Sequence, residues 1–204
     1  MGRKMVYVVL PLALLCGCLG PSAPEVKTWN VEPQRSAAAP VRSMEGAGQL
    51  FSATRFGSVV VDAPYDRAQL TVRRGDGTVA FDPYNVFAAS PSSLLRASAQ
   101  SGLDCDGRFG HIVSQSSVVS SDALVEVQVK DFSLDGREPG RRLACASVSV
   151  DVVKMGRGPR TVAYSGAGSA TVDAQDGNYS RAFSQVFSKA LDAAVNDALA
   201  PARK

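Results

Sequence analysis

The chain carries few side chains suited to covalent or acid–base chemistry, and its thiols come first. Four cysteines fall into two pairs, Cys16 and Cys18 near the start and Cys105 and Cys145 in the body. A thiol can form a thioether, a disulfide or a metal bond. His111, the only histidine, would have to serve any Ser-His-Asp triad or imidazole proton transfer. It lies between Phe109-Gly110 and Ile112-Val113 at the expected start of a strand, a setting that favours a structural role. Adding His111 to Cys105 and Cys145 supplies three metal-type ligands without paired spacing. Asp104 and Asp106 flank Cys105, but aspartates two apart in a glycine-bearing connection usually make turns. There is no Gly-x-Ser-x-Gly pentad. Gly75-Asp76-Gly77 and Gly166-Ala167-Gly168 lack both the spacing and the strand-to-helix setting of a phosphate cradle. The residues therefore point away from an enzyme, with no catalytic residue, no metal and no cofactor expected.

The chemistry that remains is at the amino end. Arg3 and Lys4 precede an uncharged run from Met5 to Gly17, far shorter than the roughly 20 apolar residues a spanning helix needs. This pattern is a secretion signal. Leu15-Cys16-Gly17-Cys18 places a small residue before a cysteine and a leucine three positions upstream of it. It is similar to the lipobox at which bacterial lipoproteins are acylated and cleaved. Lipidation is therefore expected at Cys18, whose thiol would carry a diacylglycerol and whose freed amine would take a further acyl chain. Each buried methylene contributes about 0.8 kcal/mol, so one chain holds marginally and two or more hold stably. The alternative is an ordinary secretory peptide cleaved without lipidation. Leu19 stands where an aspartate would signal inner-membrane retention, which favours the outer membrane.

The expected organisation is a signal peptide over 1–17, a lipidated start and tether over 18–25 with Pro21 and Pro24, and one domain over 26–204. Removing 1–17 takes away two basic residues and lowers the formal net charge from +3 to +1. Lys and Arg are scattered among Asp and Glu, so no nucleic-acid partner is expected. Beyond the inner membrane the compartment is oxidising, and two leftover cysteines there are expected to pair as a Cys105–Cys145 disulfide. Closing that loop would contribute roughly 3 to 4 kcal/mol in the chain-entropy model.

Periodicity supplies the elements. Val26 to Glu32, with the single Trp29, reads as a first strand, and Gln34 to Gln49 as an irregular loop. Ser58 to Ala63 is β-branched and apolar, and Pro64-Tyr65-Asp66 interrupts it. Ala68, Leu70 and Val72 then alternate with polar residues, and Arg74-Gly75-Asp76-Gly77 turns the chain into a partner strand with Val79 and Phe81. Ser90-Pro91 predicts a helix start with a serine cap, Gly102 its far end, and Leu94, Leu95 and Ala99 its buried face. Val125, Val127 and Val129 alternate with polar residues before Phe132 and Leu134 continue on the opposite parity, which predicts a bulge near Lys130-Asp131. Val148, Val150 and Val152 mark the next strand. Val162, Tyr164, Ala170 and Val172 mark another, with Gly166 and Gly168 open to a neighbouring backbone or a bulge. Tyr179 to Leu199 predicts a helix with Phe183, Val186, Phe187, Ala190, Leu191, Ala194, Val195 and Ala198 in one stripe. The expected class is α+β: a mixed, mostly antiparallel sheet with two helices packed on one face.

Pro64-Tyr65-Asp66-Arg67-x-Gln69-Leu70-x-Val72-Arg73, followed by Tyr84-Asn85-Val86-Phe87 leading into Ser90-Pro91, resembles the ABC-type transport auxiliary lipoproteins, the family that includes PqiC-like proteins. Val127-x-Val129-x-Asp131-Phe132 and a closing helix with Phe183, Phe187 and Leu191 agree with it. One departure is Phe87, where tryptophan is common in the family. The resemblance implies a non-enzymatic, periplasm-facing accessory lipoprotein partnered with an MCE-domain protein and an ABC permease and ATPase. Such systems are thought to move phospholipids or other hydrophobic molecules between membranes. Tyr65, Arg67 and Arg73 are candidates for a partner interface, because Tyr and Arg favour interfaces, and self-association is a further candidate. In the opposing reading Tyr65 and Arg67 only pin a turn onto the sheet. A different class of function also fits: a free-standing structural or assembly lipoprotein binding envelope polymers or outer-membrane proteins.

Overall fold

The structure, a computed structural model, describes residues 24–34, 49–156 and 158–200. The expected signal peptide, Cys18, most of the tether and nearly all of the loop expected over 34–49 lie outside the described residues.

The described chain forms one eight-stranded mixed sheet and two helices, in the order β1 (Lys27–Trp29), β2 (Ala53–Val61), β3 (Gln69–Arg74), β4 (Val79–Phe87), α1 (Pro91–Asp106), β5 (His111–Val113), β6 (Ala123–Gly136), β7 (Leu143–Lys154), β8 (Thr161–Asp173) and α2 (Tyr179–Ala198). The expected antiparallel run is present as β6–β7–β8 and as the β3–β4 hairpin. The remaining pairings, β1–β4, β2–β5, β2–β6 and β3–β6, are parallel.

The organising strand is β6. Val125, Val127 and Val129 are buried, and the register with β7 steps from Val129–Val148 to Asp131–Ser147, so Lys130 is the extra residue of a bulge. That extra residue reverses parity and returns Phe132 and Leu134 to the face of the preceding valines. On its other edge β6 changes partner across the same region. It pairs with β2 up to Val129 and with β3 from Leu134 onward. The 62–68 connection bridges the two partner strands there, and Asp62 N–H donates to the Val129 carbonyl at 2.9 Å.

Both helices cover the valine face. Every residue of the expected α2 stripe is buried, and the Asn178 side chain accepts from Arg181 N–H to cap the first turn. Gly166 and Gly168 lie opposite Val150 and Val148 in the β7–β8 ladder. A Cβ at Gly166 would stand 2.1 Å from Ala198 N, and one at Gly168 would stand 2.4 Å from Ala190 O. The two glycines therefore admit the backbone of α2 directly onto β8. At the tip of the core Phe87, Phe132 and Phe183 meet with ring centroids 4.7 to 5.5 Å apart, so three phenylalanines fill this corner. Burial of each ring contributes about 1.5–3 kcal/mol. The outer edge of β8 meets α2 as well, since Ala167 N–H donates to the Asp197 carboxylate at 3.0 Å.

Two features of α1 correct the sequence reading. The helix runs through Gly102 and ends at Gly107, which takes the left-handed conformation at φ 74°. Gly102 instead makes room for α2, because a Cβ there would stand 3.1 Å from a Leu191 methyl. Ser90 makes no side-chain cap bond. The acceptor for the first turn is Asp66, whose carboxylate takes the Ser92 N–H and the Ser92 hydroxyl, each at 2.9 Å.

The expected Cys105–Cys145 disulfide is also corrected, for both residues are free thiols. The sheet separates them. Cys105 is exposed on α1, whereas Cys145 belongs to the opposite parity from Val148 and Val150 on β7, with Ser133 and Thr171 as ladder neighbours.

Candidate functional site

The connection from β2 to β3 brings two of the three expected interface residues together. An Arg73 guanidinium N–H donates to the Tyr65 hydroxyl at 3.2 Å, and the guanidinium carbon stands 6.0 Å from the centre of the Tyr65 ring. Arg73 also pairs with Asp131, just past the β6 bulge, at 2.6 Å. Burial works against the Arg73 charge, but the Tyr65 hydroxyl and the Asp131 carboxylate outweigh it and raise its pKa. Tyr65 and Arg73 thus fasten the 62–68 connection to the open face of the sheet, which is what the pinning reading expects of Tyr65.

Arg67 is placed differently. It is exposed, and its guanidinium carbon lies 4.5 Å above the ring of Phe81 on β4, a cation–π geometry. Phe81 is 38% exposed, and Val26, Val79 and Tyr84 are also exposed large apolar residues. Phe81 and Val79 pair with Thr71 and Arg73 of β3. Tyr84 and Val26 immediately precede the paired residues Asn85 and Lys27. Exposed apolar side chains are therefore spaced along β4 and the entry to β1, with Arg67 over one of them, Phe81. Sequence reasoning used Val79 and Phe81 only as a hairpin partner. The available signal was that β4 alternates without charged residues on the Val79–Phe81 side.

The other candidates are dispersed. His111 is exposed at the start of β5, paired in parallel with Ala53. Cys105 is on α1 and Cys145 on the far side of the sheet, so the three metal-type ligands do not converge. Among the described residues no group of three or more His, Cys, Asp or Glu is placed to hold a metal ion. Asp104 and Asp106 belong to the last turn of α1 and not to a loop, and Asp106 pairs with Arg108 through bonds of 2.5 and 2.6 Å. Burial pushes the Cys145 thiol pKa up, and Asp131 and Asp135 add to that rise, which lowers its reactivity.

A cleft of about 360 Å³ at the β6–β7 turn is lined by Asp135, Arg137, Glu138, Arg141 and Leu143. Arg137 pairs with Asp135 and Arg141 with Glu138. A residue that sequence reasoning passed over, Arg55, organises the 114–121 loop. Its guanidinium donates to the carbonyls of Gln115, Ser117 and Val119 at 2.7 to 2.8 Å. Among the described residues no helix is long and apolar enough to cross a membrane.

No family model matches the sequence, and no curated protein matches it. Solved structures do. Protein XCC0632 from Xanthomonas campestris, described with the family model DUF330, is similar over 80% of this chain and 88% of its own, at 14% identity and a TM-score of 0.59. An uncharacterized protein is similar over 88% of this chain and 100% of its own, at 14% identity and a TM-score of 0.55. At this level of identity the likeness is one of fold: the chain shares the architecture of the Xanthomonas DUF330 protein.

Proposed function

We propose that this chain is a lipid-anchored, non-catalytic domain of a Gram-negative cell envelope. In this reading it serves as the accessory subunit of an ABC/MCE-type system that moves phospholipid or other hydrophobic molecules between membranes. The observation that carries the reading is Leu15-Cys16-Gly17-Cys18, placed nine residues before β1. The ordered motifs from Pro64 to Phe132 and the fold shared with the DUF330 protein support it. The candidate catalytic groups being dispersed, or engaged in bonds within the fold, is consistent with a docking role.

An anchored domain acts by position. Tethering confines it to a thin layer at one membrane, which raises its effective concentration toward any periplasmic partner arriving there. The partner class is an MCE-domain shuttle with its permease and ATPase, and the outer membrane is the proposed site of anchoring.

Two measurements test the reading. Metabolic labelling with an alkyne fatty acid should mark the chain and should fail on Cys18→Ser. Crosslinking in native envelopes followed by mass spectrometry should recover MCE and transporter subunits. An unlabelled product found in the soluble fraction would sink the anchor, and crosslinks confined to unrelated envelope proteins would sink the transport role.

A further inference from the structure

We propose that the β4 edge of the domain lies against the headgroup layer of the bilayer that holds the anchor. Val26, Val79, Phe81 and Tyr84 would sit at the acyl boundary, and Lys27 and Arg67 would meet lipid phosphates. The proposal rests on lipidation at Cys18 and adds to it an orientation and a lipid-contacting surface.

The length of the tether supplies the first argument. Eight residues separate Cys18 from Lys27, and the nine peptide steps between them reach at most about 31 Å. A domain of this size has a radius of gyration of roughly 16 Å. The anchor therefore holds β1 closer to the bilayer than the width of the domain. Pairing places β1 and β4 beyond β3 at the Leu134–Gly136 end of β6, and β5 beyond β2 at its Ala123 end. The end that must face lipid is the β1–β4 end.

Composition supplies the second. Val26, Val79, Phe81 and Tyr84 are 55, 42, 38 and 47% exposed, and all four lie on β4 or directly beside it at the entry to β1. Half-exposed apolar side chains interspersed with cations suit the membrane interface, where an aromatic ring sits at headgroup level and a cation pairs with phosphate. Arg67 is held over the Phe81 ring, so one pair presents both chemistries. The carboxylates of Asp76, Asp82 and Asp66 turn to hydrogen bonds within the fold, from Thr78, from Tyr84 and Asn85, and from Ser92, and Glu25 beside Val26 is exposed.

Backbone chemistry argues against a protein strand as the occupant. Pro83 has no N–H, and the N–H groups of Tyr84 and Asn85 already donate to Asp82 at 2.9 and 3.1 Å. Strand addition at residues 83–85 would find no free donors.

The test uses the full lipidated chain in vesicles of equal parts phosphatidylethanolamine and phosphatidylglycerol, with and without brominated acyl chains. Tryptophan is introduced separately at three positions, as Phe81→Trp, Tyr84→Trp and Val118→Trp, against the constant background of Trp29. Val118 is fully exposed in the loop after β5, toward the Ala123 end of β6, and serves as the more exposed control. Brominated lipid should cut the added emission at positions 81 and 84 by about half and leave position 118 unchanged. No quenching at both 81 and 84, or quenching at 118 instead, overturns the proposal. A blue shift at 81 that brominated lipid leaves unquenched assigns the strand to a second copy or another protein and also overturns it. Intact mass of the same sample separates the two claims: an unacylated chain defeats the anchor and this surface together, whereas an acylated chain with unquenched emission at 81 and 84 defeats this surface alone.

Discussion

The carboxylate of Asp66 closes the amino end of α1 by accepting two hydrogen bonds from Ser92, one from its backbone N–H and one from its hydroxyl. A residue in the β2–β3 connection thus supplies the cap that the helix's own Ser90 does not. Asp66→Ala should lower stability by about 1 kcal/mol, and by no more than about 2, the usual range for losing a side-chain acceptor at a helix start. Ser90→Ala should cost much less. Urea unfolding of the two variants shows which residue supplies the capping acceptor.

The contact between β8 and α2 depends on two missing side chains. Gly166→Ala and Gly168→Ala would each force a methyl group to within 2.1 to 2.4 Å of α2 backbone atoms, where nothing flexible can yield. Each should destabilise the domain by about 1–3 kcal/mol or more. Gly156→Ala has nothing within 4 Å of the new methyl and should leave the denaturation midpoint nearly unchanged.

These same elements show where sequence reasoning reached and where it stopped. The bulge at Lys130 was legible because a parity switch is local: valines at 125, 127 and 129 followed by Phe132 and Leu134 admit one explanation. The α2 stripe was legible for the same reason. The end of α1 was misread because glycine has two uses, and Gly102 serves the second, a close approach to Leu191. Its cap was misread because the acceptor comes from 26 positions earlier in the chain, a contact that only the fold creates. Parallel pairing of β2 and β3 along one edge of β6 is nonlocal in the same way. Of the candidate site, Tyr65 and Arg67 were visible as residue types. Their division into a pinned pair with Arg73 and an exposed stack on Phe81 is set by the fold.

Asp122 gives the fold an acid-sensitive clasp. Burial opposes ionisation of its carboxyl, but the Ser52 N–H and hydroxyl and the Ala53 N–H, at 2.9 to 3.2 Å, outweigh it and hold the pKa below the ordinary aspartate value. A depressed folded pKa means that the stabilisation is complete above the unfolded value, near 3.9, and is lost as pH falls through the lower folded value. Asp122→Asn should therefore melt below the parent protein at pH 7, with the difference shrinking below about pH 4. Paired thermal melts at neutral and acidic pH would measure this, and a gap that widened on acidification would contradict it.

The two thiols of the domain should behave independently. Cys105 is exposed and Cys145 buried, with burial pushing the latter's pKa upward. Alkylation of the native protein followed by peptide mass spectrometry should mark Cys105 quickly and Cys145 only after unfolding. Reductant should leave the melting temperature unchanged, and a large drop would contradict the free thiols.

The bond from Ala167 N–H to the Asp197 carboxylate also bears on how the molecule tolerates crowding. Strand β8 borders the sheet along thirteen residues, and a bare margin of that length invites copies to zip together into fibrils. A carboxylate from the closing helix already occupies an amide that an incoming chain would seize, and it places a negative charge in the path. Replacing Asp197 with alanine would free that amide, so the first symptom of the change would be turbidity at high protein concentration.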